Sequence, residues 1–250
     1  MRDDGSITRN DRDALRGHFG LAFEVIGRLA ARRSEGVGHL KQVLLSRLVE
    51  ATRAKEDASL AALLGQFRAA RIAPEQIIDF YIPEAARSLG EAWLNDTASF
   101  ADVTVGMTRL HELLHLVQDG LIAEAANRHS TAAVLMIVPP AEQHTLGIMV
   151  AASMFRRRGV SVGMKFSPGL SDLTVLLAEK RFDAALITLG SRDRLEMCAK
   201  LVKTLKQMTK GTLKVAVGGA VAETCREALV GAGADLVTND ISMVVTEFGL

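Results

Sequence analysis

Residues 132–147 read Ala-Ala-Val-Leu-Met-Ile-Val-Pro-Pro-Ala-Glu-Gln-His-Thr-Leu-Gly. An unbroken apolar run stops at a Pro pair, and a few polar residues then lead into a new apolar-periodic stretch. A short run of this kind, rich in Val and Ile and bounded by turn residues, reads as a buried strand. The same unit recurs downstream. Strands are expected at Ala132–Val138, Val160–Lys165, Ala184–Thr188, Leu213–Val217 and Leu236–Thr238, with helices at roughly 145–157, 171–180, 192–208 and 221–231 between them.

Strands alternating with helices build βαβ units, and so a parallel sheet covered on both faces. Five of them over 132–250 imply an α/β domain of the flavodoxin-like (Rossmann-type) doubly wound form. Ligands of such sheets lie beyond the carboxyl ends of the strands, at the topological switch point. The stretches that follow strands one, three and four therefore matter most: Pro139–Gly147, Thr188–Ser191 and Gly218–Gly219.

Upstream of residue 130 the pattern changes to apolar residues at 3–4 spacing with few Gly. Residues 1–35 read as a polar tail and an amphipathic helix over 10–33, with Leu15, Phe19, Phe23, Val25, Ile26 and Leu29 on one side. Residues 36–128 read as a linker and a four-helix bundle, with helices near 39–53, 57–70, 74–93 and 100–127. Asp57 with Ser59, Pro74 and Ser99 are start signals for the last three. The expected fold is thus a helical bundle followed by the α/β domain.

Composition narrows the function classes. Lys+Arg 30 against Asp+Glu 29 gives a net charge of +1, so the chain has no electrostatic reason to coat nucleic acid by itself; DNA contact is expected to be indirect, and direct binding stays open. Aromatics are 4% of the chain, with one Trp and one Tyr, too few for a base-stacking platform. Cys198 and Cys225 lie far apart and fit neither a disulfide framework nor a CxxC zinc site. No charge-free stretch approaches the ~18 residues of a membrane span, and the charged N-terminus carries no secretory pattern. A cytoplasmic protein without membrane contact is expected.

Three weak signals converge at the strand ends: Glu142-Gln-His144-Thr145-Leu-Gly147, then Thr188-Leu189-Gly190, then Gly218-Gly219. Together they resemble the cobalamin-binding signature Asp-x-His-x-x-Gly … Ser-x-Leu … Gly-Gly. The resemblance implies that His144 is the lower axial ligand of cobalt, with the cofactor's nucleotide tail lying beside the sheet. Imidazole suits a transition metal, and its second nitrogen needs an acceptor that fixes the tautomer. Glu142 takes that place where the family has Asp. Thr145, Gly147, Thr188, Leu189, Gly190, Gly218 and Gly219 would line the cofactor. Thr188 stands where the family has Ser.

The bundle adds Trp93-Leu-Asn-Asp-Thr-Ala-Ser99-Phe100-Ala-Asp102-Val103-Thr104. Light-sensing cobalamin regulators carry Trp-x9-Glu-His in a helical cap over the corrin. Here that spacing lands on Val103-Thr104, so this chain departs from them. The run instead resembles the AerR/PpaA type of photosynthesis antirepressor, which implies corrin contacts at Trp93, Val103 and Thr104. His111 and His115 follow at i,i+4 on one helix face; either is a candidate upper ligand. The resemblance implies no enzyme, but a light-responsive transcriptional regulator that acts on a repressor of the CrtJ/PpsR type. Hydroxo- or aquocobalamin is the expected cofactor, with methyl- and adenosylcobalamin as further forms. Two other readings stay open: a corrinoid protein of a methyltransferase system, and a haem-binding redox sensor on the same fold.

Overall fold

The computed structural model describes residues 39–54, 60–125 and 131–250. The expected N-terminal helix over 10–33 and the start signals at 57–59 lie outside the described residues. The bundle consists of α1 (His39–Arg53), α2 (Leu60–Ala69), α3 (Pro74–Gln76), a π turn (Ile77–Tyr81), α4 (Ile82–Leu94) and α5 (Phe100–Ala125). The sheet half follows as β1 (Ala133–Val138), α6 (Leu146–Arg157), β2 (Ser161–Phe166), α7 (Leu170–Glu179), β3 (Ala184–Thr188), α8 (Leu195–Met208), β4 (Lys214–Gly218), α9 (Arg226–Gly231), β5 (Leu236–Val237) and α10 (Ile241–Phe248).

Three expectations need correction. The single helix over 74–93 is broken by the π turn, whose Ile77, Ile78 and Tyr81 are buried in the bundle core. The helices expected at 192 and 221 begin with short 3₁₀ turns, Arg192–Arg194 and Glu223–Cys225, before α8 and α9. The sequence reading also lacks α10, although its signals are plain. Asp240 caps the helix by accepting from the backbone N–H groups of Ser242 and Met243, and Gly249 ends it in the left-handed region at φ 70°.

The sheet is fully parallel in the order β2-β1-β3-β4-β5. β1 and β3 lie at its centre, and the chain reverses direction between them, as a doubly wound sheet requires. Side-chain parity divides the core. Leu135, Ile137, Ala185, Ile187, Val215 and Val217 face α8 and α9. Val134, Met136, Ala184, Leu186 and Ala216 face α6 and α10. The second face is lined by smaller residues, which leaves room at its upper end.

The bundle core is built on helical spacing: Ile78, Ile82, Ala85, Ala86 and Leu89 from one helix stripe, Leu110, Leu113, Leu114, Val117 and Leu121 from α5. Leu146 and Val150 of α6 belong to this core as well, so the two halves share buried apolar surface. An ion pair between Arg157 of α6 and Asp79 of the π turn, both largely buried, crosses the same boundary. Among the described residues no helix is long and apolar enough to cross a membrane.

Candidate functional site

β1 ends at Val138 and the chain turns through Pro139–Thr145 before α6. Ala141 takes a left-handed conformation at φ 62°, and the Glu142 backbone N–H donates to Pro139 O at 3.2 Å. This turn directs the Glu142 side chain back under the loop, where only 2% of it is exposed. Three N–H groups converge on its carboxylate. Its Oε1 accepts from the His144 ring Nδ1 at 2.6 Å and from the His144 backbone at 2.9 Å; its Oε2 accepts from the Gly190 backbone at 2.7 Å. Burial pushes the Glu142 carboxyl up, but the hydrogen bonds from His144 and Gly190 outweigh it and hold the pKa below the usual carboxylate value.

A carboxylate can only accept, so Nδ1 carries the hydrogen, and in the neutral ring the lone pair lies on Nε2, which is buried. The pair thus fixes the tautomer and orientation of the neutral imidazole. This is the form in which histidine ligates a metal, with its second nitrogen tied to a carboxylate.

His144 opens onto a cavity of about 360 Å³ at the carboxyl ends of β1, β3 and β4. Its upper part is lined by Thr145, Gly147, Thr188, Gly190, Gly218 and Gly219, and its deeper part runs along the α6/α10 face of the sheet past Met136, Leu186 and Ala216. α5 closes the top with Phe100, Val103, Thr104, Met107, Thr108 and His111. Their i,i+3/i+4 spacing makes one stripe of one helix.

Three site glycines are demanded by the protein itself, and at Gly218 a Cβ would fall 2.8 Å from the Thr238 carbonyl oxygen. A Cβ on Gly190 would fall 2.6 and 2.8 Å from the Glu142 carboxylate oxygens and 2.8 Å from His144 Nδ1. Gly219 stands at φ 116°, and a Cβ there would meet the Leu189 backbone at 2.5 Å. At Gly147, by contrast, a Cβ would meet nothing within 4 Å.

The structure therefore gathers His144, Thr145, Gly147, Thr188, Gly190, Gly218, Gly219, Val103, Thr104 and His111 around one cavity, with Glu142 supporting His144 from below. Three expected residues lie elsewhere. Trp93 is half-buried against the bundle core, at the far end of α4, and does not line the cavity. His115 is exposed one turn beyond His111, off the cavity lining. Leu189 is fully buried in the core on the α8/α9 face.

Sequence reasoning missed Asn239, whose Oδ1 accepts from the Gly219 backbone at 2.6 Å. It also missed Ile241 and Val244 of α10, which wall the deep part. The Asp240 cap signal would have found them.

A doubly wound parallel sheet with a carboxylate-supported histidine at its switch point and a slot beside it defines a B12-binding domain, and residues 132–240 match the model of the B12 binding domain family. The chain is 55% identical over 188 residues to the "Uncharacterized 20.5 kDa protein in bchF-crtJ intergenic region" of Rhodobacter capsulatus, which covers 75% of this chain and 98% of that protein, and it belongs to the same family. The fold is also that of the monomethylamine corrinoid protein of Methanosarcina barkeri (TM-score 0.68, 13% identity, covering 82% of this chain and 97% of that one).

Proposed function

We propose that this chain is a cobalamin-binding transcriptional regulator, an antirepressor that responds to light and acts on a repressor of the CrtJ/PpsR type. The observation that carries it is the Glu142–His144 pair, held by Gly190 and facing a slot roofed by α5. The site fits the group on two counts. The donor is a neutral imidazole with its second nitrogen tied to a carboxylate, as a cobalt ligand needs. The cavity does not end at the histidine but continues along the sheet, where a nucleotide tail can lie; a haem has no such tail to fill it. Thr188 offers a hydroxyl at the slot's upper end.

An alkylcobalamin, when bound, would supply a light-sensitive cobalt–carbon bond. The chain's own residues do the rest. His144 would hold the metal, Glu142 fixes the imidazole, and Val103, Thr104 and Met107 of α5 would cover the group. A regulator needs a surface that changes with what the site holds, because a ligand shifts a population only through differential affinity for two states. α5 is that element here: it belongs to the bundle core and also roofs the cavity. The bchF-crtJ location named for the Rhodobacter capsulatus relative supports the repressor as partner.

The test is reconstitution with hydroxo-, methyl- and adenosylcobalamin in dark and light, beside His144→Ala, with binding to the repressor measured for each state. A cobalt-corrin spectrum that His144→Ala alters, and repressor binding that differs between states, are expected. A Soret-dominated spectrum would point to haem. Efficient methyl transfer from the methylcobalamin form to a thiol acceptor would point to a methyltransferase system.

A further inference from the structure

Among the α5 side chains that line the cavity, His111 alone carries a ring nitrogen. Its bonds define its state. Nδ1 lies 2.8 Å from the Met107 carbonyl oxygen, which can only accept, so Nδ1 carries the hydrogen. In the neutral ring Nε2 is then an acceptor, and it lies 3.2 Å from the Thr145 hydroxyl, which can donate to it. Thr145 is the residue after His144. The cap helix is thus tied directly to the loop that presents the ligand imidazole.

A flat macrocycle seated on His144 needs about 3.5 Å of clearance on each face, hence roughly 7 Å between the surfaces above and below it. Two side chains joined at 3.2 Å leave no such gap. The hydrogen bond and a ring lying between α5 and the 142–147 loop exclude one another. Lifting α5 at His111 loads its neighbours Val103 and Leu110, which are buried in the bundle core, while Leu113, Leu114, Val117 and Leu121 keep the helix anchored further along.

We infer that the His111–Thr145 hydrogen bond is a latch that holds the cap helix down on the His144 loop, and that cobalamin must break it to enter. The inference rests on the proposed seating of cobalamin on His144. The latch gives α5 two discrete positions, one tied to the loop and one lifted by the ring, and so scales the apparent affinity of the site by the fraction of molecules that are unlatched.

The experiment uses the full chain and hydroxocobalamin, with affinity read from the cobalt absorption bands. His111→Ala and Thr145→Val are each expected to bind about three- to tenfold more tightly than wild type, the worth of one neutral hydrogen bond. The double variant should gain no more than either single one, and Thr145→Ser, which keeps the donor, should match wild type. Hydrogen exchange on protein without cobalamin gives a second readout: amides over 100–111 should exchange faster in His111→Ala and Thr145→Val. Wild-type affinity and exchange in both variants, with His144→Ala still altering the spectrum, would overturn the latch and leave the proposed function standing. Wild-type protein that takes up no hydroxocobalamin would overturn both.

Discussion

A methyl group at Gly190 would press into the Glu142 carboxylate and the His144 ring at once, at 2.6–2.8 Å. Neither side chain has an easy retreat, since the carboxylate holds three N–H groups in a buried position. Gly190→Ala should therefore cost about 1–3 kcal/mol in urea unfolding and give a cobalt spectrum like that of His144→Ala. A wild-type spectrum in Gly190→Ala would show that the pair does not set the lower ligand. The same carboxylate makes stability depend on pH. Burial raises its pKa and the hydrogen bonds from His144 and Gly190 lower it further than that, so the native value lies below the ordinary 4.5. A carboxyl whose pKa falls on folding contributes stability that is present above the unfolded value and is lost as pH drops through the native one. Wild type should therefore exceed Glu142→Gln in stability at pH 7, and the gap should narrow as pH falls below about 4.5. Urea titrations of both proteins down to acid pH measure it.

At the scale of elements, the Ser99–Thr104 run has a structural task besides its place near the site. The Ser99 hydroxyl accepts from the Asp102 backbone at 3.1 Å, and the Asp102 carboxylate accepts from the Ser99 backbone at 2.8 Å and the Ser99 hydroxyl at 2.7 Å. This reciprocal cap starts α5 and fixes where its cavity-lining stripe begins. Ser99→Ala should cost about 1 kcal/mol and speed amide exchange in the first turn of α5; unchanged exchange there would deny the cap its role. Elements like this one, with a local signal at each end, are those the sequence discloses. The five strands appear within a residue or so of their expected bounds because each buried run is flanked by turn residues. The π turn is different: Ile77–Tyr81 looks like ordinary helix, and no local signal in the sequence marks where it widens. The site divides the same way. His144, Glu142 and the glycines after β3 and β4 are fixed by topology once the strands are known. Trp93, which the resemblance places at the corrin, packs against the bundle core, because helix phase decides which face it joins.

The molecule as a whole does not divide cleanly at residue 130. α6 begins beside the site, yet its Leu146 and Val150 lie in the bundle core, while Ile148, Ala152 and Phe155 pack on the sheet. One helix therefore serves two cores, and Arg157 extends the link to Asp79. Two halves joined through shared buried surface should unfold together rather than in sequence. Val150 is a clean probe, since it is buried and does not line the cavity. Val150→Ala removes two methyl groups and leaves a small void, which should cost about 2 kcal/mol. If the halves are coupled, circular dichroism and hydrogen exchange should show one transition, shifted equally for bundle and sheet amides. Two transitions, of which only the bundle's moves, would mean that the cap is an independent unit. Such a cap could not convert events at His144 into a change across the bundle surface. With coupling intact, a displacement of α5 above the site would be felt throughout the core it shares with α6.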